Sequence, residues 1–282
     1  MARGGRACGG PVQVMERAMQ RVGSTRSASL LRILLALLVW AQWAGPMRGI
    51  HLMGQPDRLA VSAIFWILTP FMLVGWWSRT STGLVGLGLL LNTVVSKEYV
   101  RFEGVDQDPW FLVVAVCLLA LTPCGGAWSV DRWIAVRRGG PTSSRSAEGE
   151  LWAWPLLNAH LVLLLLSIAL SMSRPSFLSG ARLHQHLLDT YFGSVSPLWL
   201  EPFCVVMAPA LLLSHLALAV GFALPSLRRR AVWGSLVFHS ALFLVLPAGV
   251  YTLFVMAMSL AVLDPDEVHR ALDRLHGRAG PS

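Results

Sequence analysis

Leu200–Leu224 reads LEPFCVVMAPALLLSHLALAVGFAL. Its 25 residues hold one carboxylate, Glu201, one histidine, His215, and no lysine or arginine. About 20 apolar residues wound as a helix cross the ~30 Å hydrocarbon core of a bilayer, so this stretch reads as a transmembrane span. A helix satisfies its own backbone polar groups in lipid, and an open strand does not.

Seven more stretches share this character: Ser29–Gly45, Leu59–Trp77, Thr82–Ser96, Pro109–Cys124, Leu151–Met172, Ala231–Leu246 and Gly249–Leu263. Several are short for a span, which predicts little tilt. The last two form one apolar run broken by Pro247-Ala248-Gly249, where the missing donor and the glycine predict a tight hairpin. The expected fold is all-α, a polytopic membrane helix bundle of about eight transmembrane helices.

Composition agrees. The chain is 55% hydrophobic and 13% charged, against about 25% charged in soluble domains. The net charge of +8 is not gathered on one face, so it does not predict a nucleic-acid partner. It sits in the gaps between apolar runs. With residues 1–28 inside, the cytoplasmic gaps hold sixteen basic residues and the opposite loops six. That is the positive-inside pattern, and it predicts both termini in the cytoplasm of a bacterial cell, under its inner membrane. A seven-span map would put Arg270, Arg274 and Arg278 outside and weaken it. Lys97 is the single lysine among 23 basic residues, a bias that fits a GC-rich genome.

The map divides into a basic tail, 1–28, a membrane domain, 29–268, and a second tail, 269–282. The basic start lacks a small-x-small cleavage site, so its first apolar run is expected to be a retained span. The gap at 125–150, with Arg137-Arg138-Gly139-Gly140-Pro141, is a connector between two four-span halves. In 173–199, Phe177, Leu183, Leu187, Leu188, Tyr191 and Phe192 fall at helical spacing among Arg182, His184, His186 and Asp189. This predicts a short amphipathic helix, either lying in the membrane interface or packed over the spans as a lid. Twelve tryptophans, most of them flanking spans, read as an aromatic belt. Gly83, Gly86 and Gly88 read as a packing face.

Ionisable groups inside spans are rare and informative. His160, with Asn158 two residues before it, lies in the fifth span, His215 in the sixth and His239 in the seventh. Each alone is expected to bond a neighbouring helix. Three on three spans can instead converge on a cavity, as proton carriers, metal ligands or quinone contacts. No His-x-x-His or Glu-x-x-His pair supports a metal, and no nucleophile elbow or phosphate loop occurs. The four cysteines form no CxxC pair and read as small apolar fillers. Asp106, in the acidic run Glu103-Gly104-Val105-Asp106, Glu201 and Asp131 are the candidate partners of the histidines. Asp131 is expected to cap or anchor the cytoplasmic end of its own span.

The run Leu121 to Asp131, ending Trp128-Ser129-Val130-Asp131, resembles the end of the fourth span of the HTTM domain, the membrane domain of vitamin K-dependent γ-carboxylase. Glu103–Asp106, Phe177-Leu178-Ser179-Gly180, Phe238-His239, Gly249-Val250-Tyr251 and Leu263-Asp264-Pro265 resemble further motifs in the same order. The resemblance implies a helical membrane domain over about residues 28 to 268 and chemistry on a quinone-like lipid. It departs at the catalytic lysine, for which Ser171-Met172-Ser173-Arg174 is the corresponding stretch. Arginine is a poor base. Gly126 replaces the family's histidine, and no counterpart of the carboxylase's large C-terminal domain follows. Active γ-carboxylation is therefore not expected. Three readings stay open: a quinone- or lipid-linked redox or transfer enzyme, a non-catalytic membrane partner or scaffold protein, and a small-solute transporter. DoxX-like four-span proteins are the next comparison.

Overall fold

The computed structural model describes residues 22–52, 56–95, 110–140, 148–193, 195–246 and 249–275. The chain builds twelve helices over these residues: α1 (Arg26–Leu52), α2 (Pro56–Val74), α3 (Ser78–Val95), α4 (Trp110–Ala120), α5 (Val130–Arg137), α6 (Trp154–Met172), α7 (Pro175–Leu178), α8 (Ala181–Leu187), α9 (Leu200–Ala223), α10 (Arg228–Val245), α11 (Gly249–Met258) and α12 (Pro265–Leu275). The β structure among the described residues is one antiparallel ribbon, β1 (Val22–Ser24) on β2 (Glu148–Glu150).

Each apolar stretch read from the sequence is occupied by a helix. Among the described residues three helices are long and apolar enough to cross a membrane: α1 over Arg26–Gly49, α6 and α9. A fourth is counted if Gly249–Ala261 and Pro265–Ala271, bent by 102°, are taken as one span. The expectation of eight full-length spans is thus met only in part. The 11 residues of α4 reach about 17 Å, well short of a hydrocarbon core. Three arginines at the start of α10 shorten its apolar part in the same way.

The outward faces of the long helices are as apolar as their inward ones. Leu170 on α6, Val206 on α9 and Leu244 on α10 are each about 70–80% exposed. Helices apolar all round suit a lipid surround or a buried core, not a water-facing flank.

Inside, Leu31, Leu35 and Val39 of α1 meet Leu112, Val116 and Leu119 of α4, Leu157, Leu161 and Leu165 of α6, and Phe254 and Met258 of α11 in one core. Gly86 carries the close approach of α3 to α4: a Cβ there would stand 2.8 Å from Cys117 Sγ. Gly83 faces Ala120 of α4, while Gly88 faces Ile64 of α2, so the expected glycine face serves two neighbours.

The ribbon joins the two halves. β1 precedes α1 and β2 precedes α6, so the chain returns to the same end of the bundle after α1 to α5. Ser24 Oγ bonds His269 Nδ1 at 3.0 Å, and Arg26 donates to Asp273 at 2.6 Å. The end of the second half therefore meets the start of the first. Residues 22–28 and 269–275, read as tails, belong to the folded body.

The expected amphipathic helix is divided. Gly180 breaks it with φ +76°, a left-handed conformation, and its missing Cβ avoids Val205 N at 2.6 Å. α7 lies before the break, and α8 continues into a π-helical turn, Leu188–Phe192, after it. Leu183 and Leu187 of α8 are buried against Leu200, Cys204 and Leu211 of α9. Of the two placements the sequence left open, the packed cover is the observed one.

Candidate functional site

Where α7 and α8 fold over α6 and α9, they roof a cavity of about 640 Å³. Its walls are the first residues of α4 and α11, the last turns of α6 and α10, and the middle of α9. Leu163, Leu164, Ile168, Leu211, Leu242 and Leu246 make the apolar surface. His160, His215 and Tyr251 line it too, and Arg174, Arg182 and His186 come from the segment that covers it.

His215 and His239 sit on α9 and α10 with ring centroids 5.9 Å apart. Tyr251 of α11 stacks on His215 at 6.3 Å and meets His239 edge-on at 5.9 Å. All three are buried. His215 Nδ1 lies 2.8 Å from the Leu211 carbonyl and His239 Nδ1 2.9 Å from that of Ser235. A carbonyl oxygen only accepts, so both Nδ1 atoms carry the proton. In the neutral imidazole this leaves each Nε2 a lone-pair acceptor. Neither Nε2 has a partner, and the Tyr251 hydroxyl has none. Buried polar atoms are nearly always satisfied, so three without a partner beside a cavity make this cluster the candidate site.

His160 donates from Nε2 to the Phe111 carbonyl at 2.8 Å and touches Phe254 edge-on. It shares the cavity with His215, while His239 stands behind His215 and is not a lining residue. The three histidines are therefore brought to one region but not to equal positions.

The carboxylate candidates separate. Glu201 is exposed in the first turn of α9 and does not line the cavity, which corrects its expected place beside the histidines. Asp106 lies outside the described residues. Asp131 is at the opposite end of the bundle, beyond the last turn of α4. It accepts from Trp77 N at 2.8 Å, Ser78 N at 2.7 Å and Ser78 Oγ at 2.7 Å. Asp131 thus caps α3, not its own helix, whose cap is Ser129 accepting from Arg132 N.

Beside it, the fully buried Arg32 of α1 donates to the Cys124 carbonyl at 2.7 Å and to that of Trp128 at 2.8 Å. Gly75, at φ +74°, leaves room for it: a Cβ there would meet Arg32 Nη1 at 2.5 Å. The Trp128–Asp131 run is the far half of a structural latch. It takes no part in the cavity.

Tyr251, Arg182 and His186 were not among the sequence candidates. The sequence offers Arg174 only as a poor base. Nothing in the spacing links 174, 182 and 186 to 251; the fold over Gly180 does. Among the described residues no group of three or more His, Cys, Asp or Glu could hold a metal ion. No protein-family model, curated protein or solved structure matches the chain.

Proposed function

We propose that this chain is a multi-pass membrane protein that binds, between its helices, an amphipathic molecule carrying an oxygen function: a quinone or an oxygenated lipid. One observation carries the reading. A cavity of ligand size, about 640 Å³, is lined by two residues whose polar atoms, His215 Nε2 and the Tyr251 hydroxyl, have no protein partner. Ligand cavities span roughly 300–1,000 Å³ and pair apolar walls with a few convergent polar groups.

The residues fit such a group. The Tyr251 hydroxyl donates to a carbonyl or hydroxyl oxygen, and His215 Nε2 accepts from a hydroxyl. His215 is placed to take the proton of that hydroxyl, its O–H bond breaking as Nε2–H forms, with Tyr251 holding the oxygen left behind. A bound quinone would supply two-electron redox chemistry; the chain supplies position, hydrogen bonds and exclusion of water. Leu163, 64% exposed, and Val114 line the cavity. It therefore opens on the flank of the bundle, where a lipid-borne molecule would enter.

The membrane reading is eight passes through a bacterial inner membrane, both ends cytoplasmic. The shared end of β1, β2 and α12 supports an even number of passes in each half, and the excess of arginines in the gaps at that end supports its orientation. Exposed Trp76, Trp77, Trp128 and Trp133 gather there, with Arg137 stacked 3.9 Å over Trp133, as suits a headgroup layer. Kinship to the HTTM domain is part of this proposal and rests on the motif order alone. γ-Carboxylation is not part of it, since Ser171-Met172-Ser173-Arg174 stands where the resemblance implies the catalytic lysine.

Solvent extraction and mass spectrometry of purified protein test the reading. A quinone or lipid should co-purify with wild type and fall severalfold in Ser167→Trp, which fills the cavity from α6. An equal lipid content in both proteins counts against it.

A further inference from the structure

Resting on the binding role proposed above, we infer that the cavity selects a lipid alcohol, an apolar chain presenting an O–H group, over the ketone or ether of the same chain. His215 Nε2, His239 Nε2 and the Tyr251 hydroxyl are all buried without a partner. Both histidines place their Nδ1 proton on a backbone carbonyl, that of Leu211 at 2.8 Å and that of Ser235 at 2.9 Å. Each neutral ring therefore has an Nε2 that can only accept. Tyr251 has one O–H to give. Two lone pairs face a single proton, so the cluster is one donor short whichever way the phenol turns.

His160 does not supply the missing donor, because its Nε2 proton is on the Phe111 carbonyl at 2.8 Å. Protonating His215 does not suit the site either. His215 is 1% exposed among the rings of Phe238, His239 and Tyr251, none of which offers the counter-charge that a buried imidazolium needs. The proton must come from the occupant. A bound hydroxyl donates to His215 Nε2, which lines the cavity, and leaves the Tyr251 O–H for His239 Nε2 or for the ligand oxygen. A ketone or an ether only accepts, so it adds an acceptor and strands His215 Nε2. Sites that hydrogen-bond a hydroxyl reject analogues lacking it for this reason. The chain has a bed beside the cluster. Cavity-lining residues recur on α6 from His160 to Ser171, a face ~17 Å long, with Leu163, Leu164 and Ile168 apolar along it.

Three probes of one chain length test this: 2-tetradecanol, 2-tetradecanone and 2-methoxytetradecane. Their binding to the protein in phosphatidylcholine nanodiscs is read by tryptophan fluorescence, with Trp110 in the cavity wall, and referred to concentration in the lipid phase. The alcohol should bind about tenfold or more tightly than either analogue, as one stranded acceptor implies. His215→Phe should bring that ratio to about one, whereas Tyr251→Phe should weaken all three probes and keep it. Equal binding of the three by wild type, abolished by Ser167→Trp, overturns the hydroxyl preference and leaves the cavity reading standing. A preference that survives in folded His215→Phe overturns the assignment to His215. Binding unaffected by Ser167→Trp, or no binding at all, overturns the preference and the cavity reading together.

Discussion

The Asp131 carboxylate, from the first turn of α5, accepts the backbone N–H of Ser78 at 2.7 Å and its hydroxyl at 2.7 Å, closing the start of α3. The first N–H groups of a helix lack partners within it, and an acidic cap satisfies them while meeting the positive end of the dipole. Asp131→Ala should lower stability by about 1–2 kcal/mol, and Asp131→Asn by less because its amide oxygen still accepts. Thermal unfolding of the purified protein in detergent checks the order. An unchanged midpoint in the alanine variant would remove the capping role.

Arg32 ties the same end together from the other side. Arg32→Met keeps the volume but strands the Trp128 carbonyl, at about 1–3 kcal/mol, and leaves the Cys124 carbonyl with Ser29 Oγ alone, at 3.1 Å. Arg32→Lys should recover only part, because one ammonium does not span two carbonyls as a fork does. Monodisperse yield and melting temperature should fall in the order wild type, lysine, methionine.

These two residues show what the sequence could and could not reveal. The helices were legible because apolar runs of span length announce themselves without tertiary information. Asp131 was read as a cap, but its partner lies some fifty residues away across the bundle, so the helix it caps was misassigned. Arg32 was visible as a charge at the edge of a span, yet the carbonyls it serves belong to a turn after α4. α5 and the β1–β2 ribbon are not legible because eight and three residues are too short for a periodic pattern to declare itself against the surrounding connector. Glu201 looked like an intramembrane carboxylate and is an exposed first-turn residue. Convergence of His160 and His215 on one cavity needed the fold, and the sequence held only the possibility.

Gly180 controls the roof of the cavity. Gly180→Ala places a Cβ at φ +76° and 2.6 Å from Val205 N, a strain of about 1–3 kcal/mol. The segment 175–192 should then lift from Leu200 and Cys204. Limited proteolysis should cut between α7 and the π-helical turn faster in this variant, with α9 still protected. Equal cleavage rates would contradict the packed roof.

Tyr251→Phe separates binding from folding. In the free protein it removes a buried hydroxyl that has no partner, so melting should be unchanged or slightly higher. With a bound oxygenated lipid it removes a donor, so the ligand-induced rise in melting temperature should shrink. Loss of stability in the free protein would show that the hydroxyl already serves the fold.

Photolabelling from within the bilayer tests the account most directly. A lipid with a diazirine on its chain, irradiated in nanodiscs and mapped by peptide mass spectrometry, should label buried wall residues such as Leu211, Leu242 and Tyr251, and Ser167→Trp should abolish those adducts while sparing exposed Leu170 and Val206. Labelling confined to the exposed outer face, with the walls untouched in wild type, would contradict a cavity that takes its occupant from the membrane.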